Sequence, residues 1–159
     1  PAIFRLEAHI DRLFRSAELL DMELPLSKAD LYQVVAETVK RNGLQKGVIK
    51  LISYYPDFSF EILPQQKLLS VTVFALDPEQ DLGKFGIPFE TGTTAYVSSW
   101  RKLDPRTVPV EAKAAANYLN GMIARAEAKK NGFEHAVMLD TGGFIAEGGT
   151  ELVFLVKDN

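Results

Sequence analysis

The side chains of this 159-residue sequence singled out for chemistry are an amine, a carboxylate, a phenol and a guanidinium group; it has no cysteine and only two histidines, His9 and His135. Without cysteine there are no disulfides, thiolate zinc sites, iron–sulfur clusters or thiol nucleophiles. Two histidines leave little for a histidine-based metal site. No glycine-rich loop has the form of a P-loop or a dinucleotide fingerprint. Lys113 stands in Lys-Ala-Ala-Ala-Asn-Tyr-Leu with Tyr118 five residues on, Glu147 precedes Gly148-Gly149, and Arg12 follows Asp11. By type alone each has two readings. Lys113 is an amine nucleophile or a solvated helix-start lysine, and Tyr118 a hydrogen-bonding phenol or a core aromatic. Glu147 is a working carboxylate or a turn residue, and Arg12 an anion anchor or an amphipathic-helix surface residue. Five residues turn about 140° on a helix of 3.6 residues per turn. Lys113 and Tyr118 can therefore converge only if Lys113 sits in the segment entering the helix.

The elements that would position these groups are legible from periodicity. Glu7 to Met22 reads as a helix, with Ile10, Leu13, Phe14, Ala17 and Leu20 at three- and four-residue steps. Leu24-Pro25-Leu26 ends it. Ser27 with Asp30 starts a second helix, which Leu31, Val34, Val35, Thr38 and Val39 carry on to Asn42-Gly43. From Gly47 the pattern changes to strands: Val48 to Tyr55, Leu68 to Leu76 and Thr93 to Trp100. Asp77 to Pro88 reads as a connection, and Arg101 to Pro109, with two prolines, as a linker between structural units. Glu111 to Lys130 predicts a helix with Ala115, Leu119, Met122 and Ile123 as its buried stripe, stopping at Asn131-Gly132. A short strand Ala136 to Leu139, a turn at Thr141-Gly142-Gly143, a return strand Phe144 to Ala146 and a last strand Glu151 to Val156 complete an α/β chain.

Hydrophobic residues at 47% and charged residues at 25% suit a globular protein with a real core. A net charge of −3 gives no electrostatic case for nucleic acid or an anionic membrane surface. The longest apolar run, Leu68 to Leu76, is too short to span a bilayer. With no signal-peptide pattern at the start, the expectation is a cytoplasmic protein.

Trp100-Arg101-Lys102, Pro109, Lys113-Ala-Ala-Ala-Asn117-Tyr118-Leu119 and Glu147-Gly148-Gly149, with Phe4-Arg5-Leu6-Glu7-Ala8-His9-Ile10-Asp11-Arg12-Leu13 and Ser16-Ala17, occur in one order along the chain. That arrangement resembles the class IV aminotransferases, pyridoxal-phosphate enzymes of the branched-chain and D-amino-acid aminotransferase type. The resemblance implies an α/β (α+β) two-domain fold: residues 1–104 as a small N-terminal domain lacking its first strands, and 105–159 as the start of the large cofactor-binding domain. It implies pyridoxal 5′-phosphate as cofactor, transamination between an amino acid and a 2-oxo acid by a ping-pong route, and a homodimer. It assigns Lys113 as the Schiff-base lysine and proton carrier, Glu147 as partner of the pyridine nitrogen, Tyr118 as partner of the phenolic oxygen, and Arg12 as phosphate anchor.

Three positions depart from the family pattern. Lys50, a candidate substrate-carboxylate reader, stands where branched-chain enzymes commonly carry arginine; it keeps the charge and loses the bidentate fork. Leu152 replaces the usual asparagine and cannot supply its hydrogen bonds. Phe85 is the only aromatic between Asp77 and Gly86. Family members are longer at both ends, so this 159-residue piece is expected to be inactive alone. An aminodeoxychorismate-type lyase on the same cofactor, and a non-catalytic member of the fold, are the alternative readings.

Overall fold

The computed structural model describes residues 2–63, 68–77, 81 and 92–157. It divides into two compact units, Pro1–Gly86 and Ile87–Asn159. Among the described residues no helix is long and apolar enough to cross a membrane.

The first unit packs two helices, α1 (Leu6–Leu19) and α2 (Lys28–Asn42), on a hairpin of β1 (Val48–Tyr54) and β2 (Ser70–Leu76). Leu6, Ile10, Leu31 and Val35 form the buried centre, and Ile49, Leu51, Val71 and Val73 pack against it. Side chains alternate across a strand, so Lys50, directly opposite Phe74, lies on the other face of the hairpin, exposed. The second helix forms as expected: Ser27 Oγ accepts from the Asp30 amide at 3.1 Å, and Gly43 closes the helix at φ +64°. Such a cap contributes about 1 kcal/mol. Helix α1 stops three residues short of Met22. Asp21 takes the left-handed conformation at φ +53°, and the Met22 and Asp21 amides turn back to the Ala17 and Glu18 carbonyls. That is a Schellman ending, which the apolar pattern running through Leu20 conceals.

In the second unit β3 (Ala95–Arg101) runs parallel to β4 (His135–Leu139), and β5 (Ile145–Gly148) runs antiparallel to β4 on its other side. Helix α3 (Tyr118–Lys130), preceded by one 3-10 turn at Ala115–Asn117, connects the parallel pair. Asp140 closes the β4–β5 turn by accepting the Gly142 and Phe144 amides at 2.9 Å each, with Gly143 at φ +87°.

Four expectations need correction here. The helix expected from Glu111 begins only at Tyr118, because Ala114 is extended and the Asn117 side-chain amide donates back to Ala112 O at 3.2 Å. Its buried face is Gly121, Ala124 and Ala128 rather than Ala115, Leu119, Met122 and Ile123: the helix lies so close to its neighbours that only small residues fit. Leu119 and Met122 face outward, 58% and 59% exposed. Glu151 to Val156 is not a strand; the Gly148 amide bonds Glu151 O at 2.7 Å, turning the chain away from the ladder. Arg101 to Pro109 is not a linker. Arg101 ends β3, the Lys102 amide reaches Leu139 O at 2.8 Å, and Asp104 binds Arg106 through backbone and guanidinium. The strand β3, placed in the first domain by a boundary at 104, is thus hydrogen-bonded within the second unit. The connection expected over Asp77 to Pro88, including Phe85, lies largely outside the described residues.

Candidate active site

Lys113 lies just before the 3-10 turn, outside α3, as convergence with Tyr118 requires. Its Nζ donates to the Tyr118 hydroxyl and sits 5.1 Å from the ring centroid. Tyr118 opens the helix and is 42% exposed, so the alternative reading as a core aromatic does not hold. An amine and a phenol in hydrogen-bond contact can exchange a proton or present two donors to one oxygen-rich ligand.

Glu147 sits on β5 opposite Met138 of β4, and its Oε1 forms an ion pair with Lys102 Nζ. Both side chains are part-buried, 32% and 24% exposed. The turn that follows is tightly seated. A Cβ on Gly121 of α3 would overlap Gly149 O, and the Gly149 amide donates to Ala136 O at 3.0 Å. Glu151 braces the turn from below, its Oε2 accepting the Thr150 amide at 2.9 Å and its Oε1 lying 3.4 Å from His135 Nδ1 and 3.5 Å from Arg125 Nη1. Burial pushes the Glu151 carboxyl upward, but the hydrogen bonds from Thr150, with Arg125 and His135 nearby, outweigh it and hold it below the ordinary value.

Helix α3 ties the two pairs together. Tyr118 meets Lys113, and Gly121 receives Gly149. Between them Asn120 clamps the chain on both sides of Lys102, accepting from the Leu103 amide at 3.1 Å and donating to Arg101 O at 3.0 Å. At the far end of the helix Glu127 accepts from Ser98 Oγ at 2.5 Å and Ser99 Oγ at 2.6 Å, which lowers its carboxyl and pins α3 to β3.

Arg12 and Lys50 belong to the first unit. Arg12 is exposed on α1, its Nη2 3.3 Å from His9 Nδ1; Lys50 is exposed on β1. Leu152 follows the Glu147 turn and is 76% exposed. Lys102 and Asn120 have no signal in the sequence, because their placement depends on the β3–β4–β5 order. Their only mark is that Lys102 lies in the Trp-Arg-Lys motif.

The family model described as amino-transferase class IV matches residues 1–159. A probable branched-chain-amino-acid aminotransferase of Rickettsia bellii is 32% identical over 157 residues, covering 99% of this chain and 52% of its own. The branched-chain-amino-acid aminotransferase of Escherichia coli K12 is 31% identical over 159 residues, covering 99% and 51%. Among solved structures, the branched-chain aminotransferase of Thermoproteus uzoniensis with norvaline is similar at a TM-score of 0.81 and 32% identity, over 92% of this chain and 48% of that one. The branched-chain amino acid aminotransferase of Thermobaculum terrenum in its PLP-form gives 0.78 and 27%, over 92% and 46%. The chain spans about half the length of the curated relatives it matches.

Proposed function

The chain belongs to the class IV aminotransferases, and from that membership we propose that the full-length protein moves an amino group between an amino acid and a 2-oxo acid by a ping-pong route, with pyridoxal 5′-phosphate as cofactor. The observation that carries the reading is the Lys113 amine set on the Tyr118 hydroxyl just outside a helix. The relatives named for branched-chain amino acids make those the first substrates to test.

The donor set fits the cofactor chemically. It offers an amine for an aldehyde, a phenol for an anionic ring oxygen, and a carboxylate for a protonated ring nitrogen. When bound, pyridoxal phosphate supplies the electron-accepting ring that makes the substrate Cα proton removable. Lys113 would hold the cofactor through its amine and would serve as the acid and base for that proton. Tyr118 would hydrogen-bond the phenolic oxygen, and Glu147 would face the ring nitrogen. Arg12 is proposed as the phosphate anchor, its planar fork suited to phosphate oxygens, and Lys50 as a reader of a substrate carboxylate. The units Pro1–Gly86 and Ile87–Asn159 are proposed as parts of the small domain and of the large cofactor-binding domain. The full-length protein is proposed as a cytoplasmic homodimer, checked by sedimentation.

The test is an absorption spectrum of the full-length protein with pyridoxal phosphate, then borohydride reduction and peptide mapping. The label is expected on Lys113, and Lys113→Ala should abolish turnover. A label on another lysine, or undiminished transamination in that variant, overturns the assignment. Pyruvate release from aminodeoxychorismate without amino transfer would replace transaminase by lyase.

A further inference from the structure

Resting on the reading of Glu147 as partner of the pyridine nitrogen, we propose that Lys102 is the positioning residue that aims this carboxylate, and that Asn120 holds Lys102 in place to do so. The topology makes the case. Lys102 directly follows β3 and Glu147 lies on β5, the two strands that flank β4. Strands two apart in a sheet are separated by roughly 10 Å. A long side chain is needed to span β4 and meet the carboxylate, and Lys102 does so with a cation.

The backbone that launches it is fixed at three points. The Lys102 amide donates to Leu139 O at 2.8 Å, while Asn120 takes the Leu103 amide and gives to the Arg101 carbonyl. A glutamate one-third exposed and without a partner would spread over several rotamers and turn toward water. Paired through Oε1, it is held in one orientation with Oε2 as a second acceptor. Because Asn120 stands two residues after Tyr118, one helix turn sets both the phenol and, through Lys102, the carboxylate.

The test compares the equilibrium affinity of full-length protein for pyridoxal phosphate and for an analogue with CH in place of the ring nitrogen. Wild type should prefer the natural cofactor by about tenfold or more, the worth of one charge-assisted hydrogen bond. Lys102→Met should lose most of that preference, and Lys102→Arg, which keeps reach and charge, should retain it. Asn120→Leu should move in the direction of Lys102→Met. A Lys102→Met protein that keeps or increases the preference overturns the proposal, as does equal weakening of both ligands, which marks a merely structural role. A wild type that does not distinguish the two ligands overturns instead the reading of Glu147.

Discussion

Tyr118 shows how far a single side chain can be argued. With the hydroxyl on Lys113 and the residue 42% exposed, Tyr118→Phe removes a hydrogen bond and little packing. The expected outcome is an unchanged unfolding midpoint with transamination slowed by about tenfold, the scale of one hydrogen bond. A steady-state rate with a melting curve on the same preparation checks it. Asp104 offers a second case, decided by charge. Hydrogen bonds from the Arg106 side chain, then from its backbone amide, hold the Asp104 carboxyl far below its ordinary 3.8. A depressed folded pKa means the stabilisation is present above about pH 3.8 and is lost as pH falls toward the folded value. Asp104→Asn should therefore lower the melting temperature at neutral pH, and the gap from wild type should narrow as pH falls toward 2. Asp104 itself drew no notice in the sequence, where it sat inside a stretch read as a linker. Nothing local announces that its neighbour two residues on will fold back on it.

At the scale of elements, small residues decide where α3 lies. Ala is the better helix former by about 1 kcal/mol, so propensity alone says that Gly121→Ala should stabilise. The structure reverses the sign, because the new methyl would overlap Gly149 O and either the helix or the turn must move. We expect destabilisation of about 1–3 kcal/mol by chemical denaturation, with weaker pyridoxal phosphate binding as Glu147 is displaced. Helix existence was legible here from the alanine-rich run and its Asn131-Gly132 stop, and so was the convergence of Lys113 with Tyr118. The buried face was not. Hydrophobicity marks Leu119 and Met122 as core, whereas close approach selects Gly121, Ala124 and Ala128, and closeness is a tertiary property. The same holds for Asp21, whose left-handed turn ends α1 while the apolar spacing still reads as helix.

For the whole molecule, the motifs in order identified the family across the full chain, and the matched relatives are about twice its length. Leu152 to Val156 illustrates the part of the fold the motifs do not decide. The segment reads as a strand from its residue types, yet a strand needs a ladder partner, and these residues are without strand pairing and exposed. Phe144 and Ile145 are likewise apolar and exposed. We expect the 159-residue chain alone to bind an apolar fluorescent dye more strongly, mole for mole, than the full-length protein, and to show no transamination. Dye titration and a rate assay on both forms check this.

Asn120 and Gly121 are neighbours, and an asparagine followed by glycine is the pair most prone to lose its side-chain amide as a protein ages. That reaction needs the glycine nitrogen to reach the asparagine side chain, which the helix and the two hydrogen bonds of Asn120 oppose. Should it occur, a donor would become an acceptor facing the Arg101 carbonyl, and like would confront like. The clamp on Lys102 is therefore also a clock: its chemical lifetime is that of the folded helix, and each excursion to the unfolded state shortens it.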